Sequence, residues 1–270
     1  STFASAFPMY DILPVLMEEL IYAVYQKNWL DPDAPPKYGK TNPPSLFSMS
    51  THVEDVLKNR GYKEDIGKNL KACLNTRIDS LRRGWKNDLL NCRNSTPWGV
   101  LFGKPCVINL SYVGDDVDKG FIMALILQFL YEYRQAQSEI GEIDFNDNGC
   151  RHLTIIEEAH RVMSRCENPT LPQYKSAMMF SNMLSEIRAY GEGMRLVDQV
   201  PTRLIPDAIK NTNFKIIHRL VAEDDVRAIG ESMGLSPEQR MIIPKLLTGQ
   251  CVINSSLSTE AYWLKVNKVK

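Results

Sequence analysis

The sequence has no closely spaced cysteine pair: its six cysteines are scattered over 270 residues without a CxxC. This spacing supports neither a zinc site nor a small disulfide framework, and it predicts reduced thiols in a cytoplasmic protein. The sequence also has no excess of either charge, since 32 basic residues balance 32 acidic ones. A surface that is basic throughout is therefore excluded, whereas a local basic groove or pore is compatible with a net charge of zero.

No segment is apolar over the length of a bilayer. The most apolar run, residues 121–133 (FIMALILQFLYEY), is shorter than a membrane span and is typical of a buried helix. No signal peptide is recognisable. Residues 1–8 carry no helix-cap or strand pattern, and we interpret them as the cut edge of a longer protein.

The most informative stretch is residues 152–163, HLTIIEEAHRVM. The β-branched run at 153–156 predicts a buried parallel strand, and Glu157 and Glu158 follow it directly. Carboxylates at the C-terminal end of such a strand lie where open α/β sheets bind their ligands. Nucleotide hydrolysis needs one carboxylate to hold Mg²⁺ and another to orient the attacking water. The alternative, from the residues alone, is a strand end with two solvated acids.

Apolar runs and helical patterns alternate around this stretch, which predicts an α/β fold with a mainly parallel sheet and right-handed crossovers. We expect the last two strands to pair antiparallel at the sheet edge. Besides 153–156, the predicted strands are residues 105–110 (PCVINL), 194–198, 214–220, 249–254 and 261–266. The predicted helices are residues 10–29, 119–134, 176–190, 205–211, 223–234 and 236–246.

Residues 50–91 differ from the rest, because they are rich in Lys, Arg, Leu, Asp and Asn and contain no convincing strand pattern. Their periodicity predicts one helix capped by Ser50 or Thr51, with Glu54 close behind, and a longer helix over 63–80. Basic residues predominate here. This pattern is typical of the solvated face of a small helical insertion, and the alternative is a surface that contacts nucleic acid.

Several motifs resemble, in the right order, the motor core of HerA-type ATPases, within the HerA–FtsK group of P-loop NTPases. They are HLTIIEEAH and SEIRAYGEGMRLVDQVPTRLIPDAIKNTNFKIIHRL, together with AFPMYDILPVLMEELIYAVY and PCVINLSYVGDDVDKGFIMALILQFLYEYR. The resemblance covers most of the chain outside the helical stretch. It implies a RecA-like, mainly parallel sheet flanked by helices, formed by residues 1–44 and 96–270 and interrupted by an all-helical insertion at 45–95.

The resemblance also implies roles for individual residues. Glu157 matches the Walker B residue that holds Mg²⁺, where the family more often has Asp, and Glu158 matches the residue that polarises the water. Gln199 matches the polar sensor of the γ-phosphate. Arg188 matches the arginine that reaches a neighbouring subunit's nucleotide, although a charge that complements a helix C-terminus is the alternative. His160 is predicted to be structural.

The chain departs from the family in one large respect: it contains no phosphate-binding GxxxxGK[ST] loop. The nearest segment, residues 99–105 (GVLFGKP), is one residue short and places Pro105 where a hydroxyl should bind Mg²⁺. In the family this loop precedes the FPMY segment. The resemblance therefore implies the C-terminal portion of a longer ATPase, which would be inactive without the missing loop.

The function implied is hydrolysis of ATP with Mg²⁺, coupled to translocation along DNA, expected to be double-stranded. A trans arginine requires a heterologous interface, so the resemblance implies a cytoplasmic homo-oligomeric ring, expected to be a hexamer. A nuclease partner, conjugation and defence against phage stay open as settings. The alternatives are a secretion- or conjugation-associated ATPase that moves protein or protein–DNA substrates, and an inactive scaffold with the same fold.

Overall fold

The structure is a computed structural model that describes residues 12–28, 44–92, 95–141, 149–168 and 171–268. The described residues of Phe7–Cys106 form one compact unit, and those of Val107–Lys270 belong to the other.

The first unit is helical. Ser45 caps α2 in a capping box with Ser48, because the hydroxyl of each residue pairs with the backbone N–H of the other. The prediction that Ser50 or Thr51 caps this helix is wrong, since both lie within α2 and donate to backbone carbonyls of the preceding turn. The helices are α1 (Leu13–Asn28), α2 (Leu46–Asn59), α3 (Glu64–Leu81), α4 (Trp85–Leu90) and α5 (Trp98–Leu101).

Helix α1 packs against α2 and α3 within this unit. The buried side chains that join the helices are apolar, including Leu16, Leu20, Val53 and Ile78. The predicted domain boundaries, with residues 1–44 in the ATPase core and 45–95 as the insertion, stay a prediction.

The second unit mixes helices and strands, and it carries the residues singled out in the sequence. Its helices are α6 (Asp116–Glu139), α7 (Pro172–Glu186), α8 (Pro206–Lys210), α9 (Glu223–Ser232) and α10 (Pro237–Arg240). Its strands are β1 (His152–Glu157), β2 (Glu192–Val197), β3 (Phe214–Ile217), β4 (Gln250–Ser255) and β5 (Tyr262–Lys265). Short 3₁₀ turns occupy Ala159–Arg161, Ile187–Tyr190, Pro201–Arg203 and Ile243–Lys245.

Strands β1 and β2 pair in parallel, and α7 lies between them in the chain. Their register runs from His152 opposite Glu192 to Glu157 opposite Val197, so the two strands end side by side. Strands β3, β4 and β5 form an antiparallel sheet, as predicted for the last two. The predicted α/β class is confirmed.

Residues 105–110 form no strand, so the prediction for PCVINL is wrong. Val107 is 92% exposed, and no described strand pairs with this segment. An apolar run becomes a strand only where a neighbour accepts its backbone hydrogen bonds. The predicted crossover from this segment to β1 is wrong for the same reason.

The second unit has buried apolar side chains near β1 and on the antiparallel sheet. Ile156 of β1 is buried, as are Phe180, Met183 and Ile187 from α7 and the turn after it. A separate cluster lies on one face of the antiparallel sheet and contains Ile217, Val226, Met233, Leu235, Ile243, Leu246 and Val252. Ile156 is thus the buried side chain of β1 that lies next to the strand end carrying Glu157 and Glu158.

Candidate active site

Glu158 and Gln199 lie together at the shared C-terminal edge of β1 and β2. Each follows its strand directly or within two residues, and the in-register pairing brings them side by side. The Nε2 of Gln199 donates a hydrogen bond to Oε1 of Glu158 at 3.2 Å. The structure therefore brings the two predicted residues into contact.

Glu158 has a left-handed backbone, with φ 52° and ψ 47°. It is the one non-glycine residue with positive φ in the part of the chain that the structure describes. This conformation costs an L-residue about 1–2 kcal/mol, and such strain is concentrated at functional sites. It ends the alternation of β1 and leaves the Glu158 side chain 41% exposed.

A buried aspartate holds the turn that follows Glu158. Oδ2 of Asp198 accepts hydrogen bonds from the backbone N of His160 at 2.8 Å and from its ring Nδ1 at 2.9 Å. Oδ1 of Asp198 accepts from the backbone N of Val200 at 3.0 Å. The Asp198 side chain is only 4% exposed. One carboxylate thus ties together the two segments that follow β1 and β2.

His160 lies between Asp198 and Glu158. A carboxylate only accepts hydrogen bonds, so the ring nitrogen Nδ1 carries the proton that it shares with Asp198. The other ring nitrogen, Nε2, is 3.7 Å from Oε2 of Glu158. Sequence reasoning missed Asp198 and assigned His160 a structural role. The available signal was a polar residue at the end of each of two consecutive strands, Glu157 on β1 and Asp198 after β2.

The turn that carries His160 is also anchored from α6. Nη1 of Arg161 lies 2.6 Å from Oδ1 of Asp116, near the start of that helix. The hydrogen bond from Arg161 lowers the pKa of Asp116. Helix and turn approach closely, because a Cβ added at Gly120 would lie 3.1 Å from the carbonyl oxygen of Arg161.

Glu157, the predicted Mg²⁺ ligand, is the last residue of β1 and is exposed. Because side chains alternate along a strand, Glu157 shares a face of β1 with Leu153 and Ile155. Glu158 follows the end of the strand and does not share that face. An exposed carboxylate suits Mg²⁺, which keeps several waters and binds through one or two carboxylates and substrate phosphates. Within the described ranges, no group of three His, Cys, Asp or Glu side chains is placed to hold a metal by itself.

The structure does not bring Arg188 to this edge. Arg188 is exposed and lies in the turn Ile187–Tyr190 that precedes β2, whereas Gln199 follows β2. A strand of six residues spans about 20 Å. Arg188 is therefore at the opposite end of the strand pair from Glu158. The roles predicted for Glu157, Glu158, Arg188 and Gln199 stay predictions.

None of the described helices is both long and apolar enough to cross a membrane.

A comparison with known protein families found no match. Among curated proteins, the chain is 28% identical over 223 residues to a probable helicase of Methanocaldococcus jannaschii, covering 80% of this chain and 41% of that protein. It is 26% identical over 172 residues to the DNA double-strand break repair helicase HerA of Sulfolobus acidocaldarius, covering 63% of this chain and 32% of HerA.

The chain thus spans less than half the length of these relatives. Among solved structures, VirB4 of Thermoanaerobacter pseudethanolicus matches with a TM-score of 0.72 at 15% identity, over 99% of this chain and 67% of VirB4. That likeness shows a shared fold, which is the RecA-like α/β fold. The sequence relatives and the shared fold together support a HerA–FtsK-type P-loop NTPase, the group that the sequence motifs resemble.

Proposed function

We propose that this chain is the part of an ATP-hydrolysing, HerA/FtsK-like DNA translocase or helicase motor that activates the attacking water. The hydrogen bond between Gln199 and Glu158, across the ends of two parallel strands, carries the proposal. It joins a carboxylate and an amide at the edge where α/β sheets bind ligands. A carboxylate there accepts a hydrogen bond from water, and an amide can hold both the carboxylate and a phosphate oxygen.

Each residue has a defined part in this proposal. Glu158 orients the attacking water, and Gln199 contacts the γ-phosphate and fixes Glu158. Glu157 holds Mg²⁺ through water, and the ion neutralises charge on the phosphates when ATP is bound. The donor set at this edge supplies oxygen ligands but no phosphate-cradling loop, so the nucleotide needs a further segment for binding.

Arg188 serves a neighbouring subunit in this proposal. It is exposed at the opposite end of β2 from Glu158, so it reaches a nucleotide across an interface rather than within its own subunit. A head-to-tail interface that closes on itself gives a ring, and we propose six subunits. An always-charged guanidinium at the interface would stabilise the transferring phosphoryl group.

DNA is the proposed substrate for translocation, because both curated relatives are named as helicases. We propose double-stranded DNA, a cytoplasmic location and an association with a nuclease. A motor that moves protein, or protein with DNA, would use the same residues. Stimulation of ATP hydrolysis by double-stranded DNA separates the two, since a protein-moving motor gains no turnover from DNA.

The test uses the complete gene product, assayed for steady-state ATPase activity with and without double-stranded DNA. Glu158→Gln should lower turnover about 10²- to 10⁴-fold, because the water loses its orienting carboxylate. ATP binding should be retained in calorimetry. Glu132→Gln is the matched control, because Glu132 is exposed on α6 and its carboxylate pairs with Gln128 of the same helix. Turnover of Glu158→Gln within a few fold of the parent protein would refute the assignment.

A further inference from the structure

The two carboxylate oxygens of Glu158 face different partners. Oε1 accepts a hydrogen bond from Gln199, and Oε2 faces Nε2 of His160 at 3.7 Å. That separation is too long for a direct hydrogen bond, and with the proton on Nδ1 the Nε2 atom is an acceptor, so a water that donates to both atoms would connect them. Catalytic contacts of this kind commonly tighten once substrate is bound. His160 is thus placed on the side of the carboxylate that Gln199 leaves open.

The His160 ring is itself held in place. Asp198 binds both its backbone N and its Nδ1 through a single oxygen, so the ring has one orientation that keeps both bonds. The ring is 18% exposed, which limits alternative rotamers. Rotation about χ1 would break the Nδ1 bond and leave the buried Asp198 carboxylate with one partner fewer, which is costly. The bonds to Asp198 therefore keep Nε2 directed towards Glu158.

We propose that His160 is a positioning residue for Glu158: fixed by Asp198, it restrains Oε2 while Gln199 restrains Oε1. The inference rests on the proposed function and adds to it a residue that the family resemblance did not supply. A half-exposed glutamate has several accessible rotamers, and the strained backbone of Glu158 fixes the direction of Cβ but not the carboxylate. Misplacement of a reacting group by about 1 Å can cost about 10²-fold in rate.

The competing explanation is structural, with His160 serving only to hold the turn through Asp198. Two amide variants separate the explanations. In His160→Gln the amide group takes the place of Nε2 and its oxygen can accept from the bridging water, so the water-mediated contact with Glu158 is kept and the contact with Asp198 is lost. In His160→Asn the amide nitrogen takes the place of Nδ1, so the contact with Asp198 is kept and that with Glu158 is lost. The backbone bond to Asp198 remains in both.

The experiment measures kcat and KM for ATP in the complete gene product carrying His160→Ala, His160→Asn or His160→Gln, with thermal unfolding of each. A positioning role predicts that Ala and Asn lower kcat about 10- to 100-fold, that Gln recovers most of it, and that KM changes less than about threefold. His218→Gln, on an exposed histidine that follows β3, is the control and should keep the parent values.

Two results would overturn the inference. One is parent-like kcat in His160→Asn with loss in His160→Gln, which assigns the histidine to the turn alone. The other is equal kcat in His160→Gln and His160→Ala, whatever its value. Glu158→Gln is assayed in parallel, so that failure of the proposed function is recognised separately: if Glu158→Gln stays active, the proposed function fails first. If Glu158→Gln is inactive and His160→Ala is not, only the positioning role fails.

Discussion

Each end of the β1–β2 pair carries a glutamate, and the two carboxylates differ in burial and in hydrogen bonding. At the start of β2, Glu192 has no exposed side-chain surface. It accepts hydrogen bonds from Nε of Arg134 at 2.8 Å, from Nδ1 of His152 at 2.8 Å and from Oγ1 of Thr154 at 2.6 Å. After the end of β1, Glu158 is half-exposed, and among the described residues its side chain accepts one hydrogen bond, from Gln199.

This difference separates a carboxylate that supports the fold from one that is available to a ligand. A buried charge is tolerated only when it is paired and hydrogen-bonded, and the partners of Glu192 meet that requirement completely. The acceptor positions that Glu158 leaves open, together with its strained backbone, are those that a water or substrate would use. Natural sequences break local rules of this kind mainly at functional sites.

The largest effect should come from Arg188, which lies beside the Glu192 end and, in the proposed ring, serves the Glu158 end of another subunit. Arg188→Ala should lower kcat about 10³- to 10⁵-fold with nucleotide binding retained, because the transferring phosphoryl group loses its cation. Mixing Arg188→Ala with Glu158→Gln should restore some ATPase activity, since mixed rings contain sites with both residues intact. The measurement is steady-state turnover across a titration of the two variants, with subunit exchange verified. A flat line at zero would contradict the trans role.

The second prediction concerns removal of the buried carboxylate, Glu192. Glu192→Ala should lower the free energy of unfolding by about 3–5 kcal/mol, because Arg134 is left as a buried charge without its carboxylate. The measurement is urea denaturation followed by circular dichroism. Glu158→Ala is the matched variant at the open end and should cost less than about 1 kcal/mol. Equal losses at the two positions would show that the two carboxylates do not differ in kind.

The third prediction concerns the strain at the open end. Glu158→Gly should be more stable to urea than Glu158→Ala by about 1 kcal/mol, because glycine adopts a positive φ without steric cost and alanine does not. Both variants remove the carboxylate, so the difference isolates the backbone. Alanine as stable as glycine would mean that the turn relaxes when its side chain is removed.

The smallest effect is expected at an exposed carboxylate that is fully paired, Glu54 of α2. Hydrogen bonds from Lys71 and then Lys58 lower its pKa to about 2. A lowered pKa in the folded state stabilises that state above the ordinary value near 4.5, and the gain is lost as the pH falls towards about 2. The melting temperatures of Glu54→Gln and the parent protein should differ slightly at pH 7 and converge in acid and in high salt. A difference unchanged at pH 2 would contradict this origin.

The sequence predicted the end of the strand pair that carries Glu158 better than the end that carries Glu192. Strand β1 and the two glutamates at its end were predictable because a short β-branched run followed by acids is a local pattern, whereas Gln199 was supplied by the family resemblance. Glu192 was not, because its partner Arg134 is 58 residues away and only the folded chain joins them. The same applies to Asp198 and His160, which lie 38 residues apart. The strand predicted at residues 105–110 was wrong, because an apolar run does not reveal whether a neighbouring strand is present to pair with it.

The matched ends of β1 and β2 have a consequence for how the gene can change. Side chains alternate between the two faces of a strand, so inserting or deleting one residue in either strand would turn the following side chains to the opposite face. Such a change in β2 would separate Gln199 from Glu158 while leaving every individual residue present. Length variation among descendants of this sequence should therefore accumulate in the connections and be absent from residues 152–160 and 192–199.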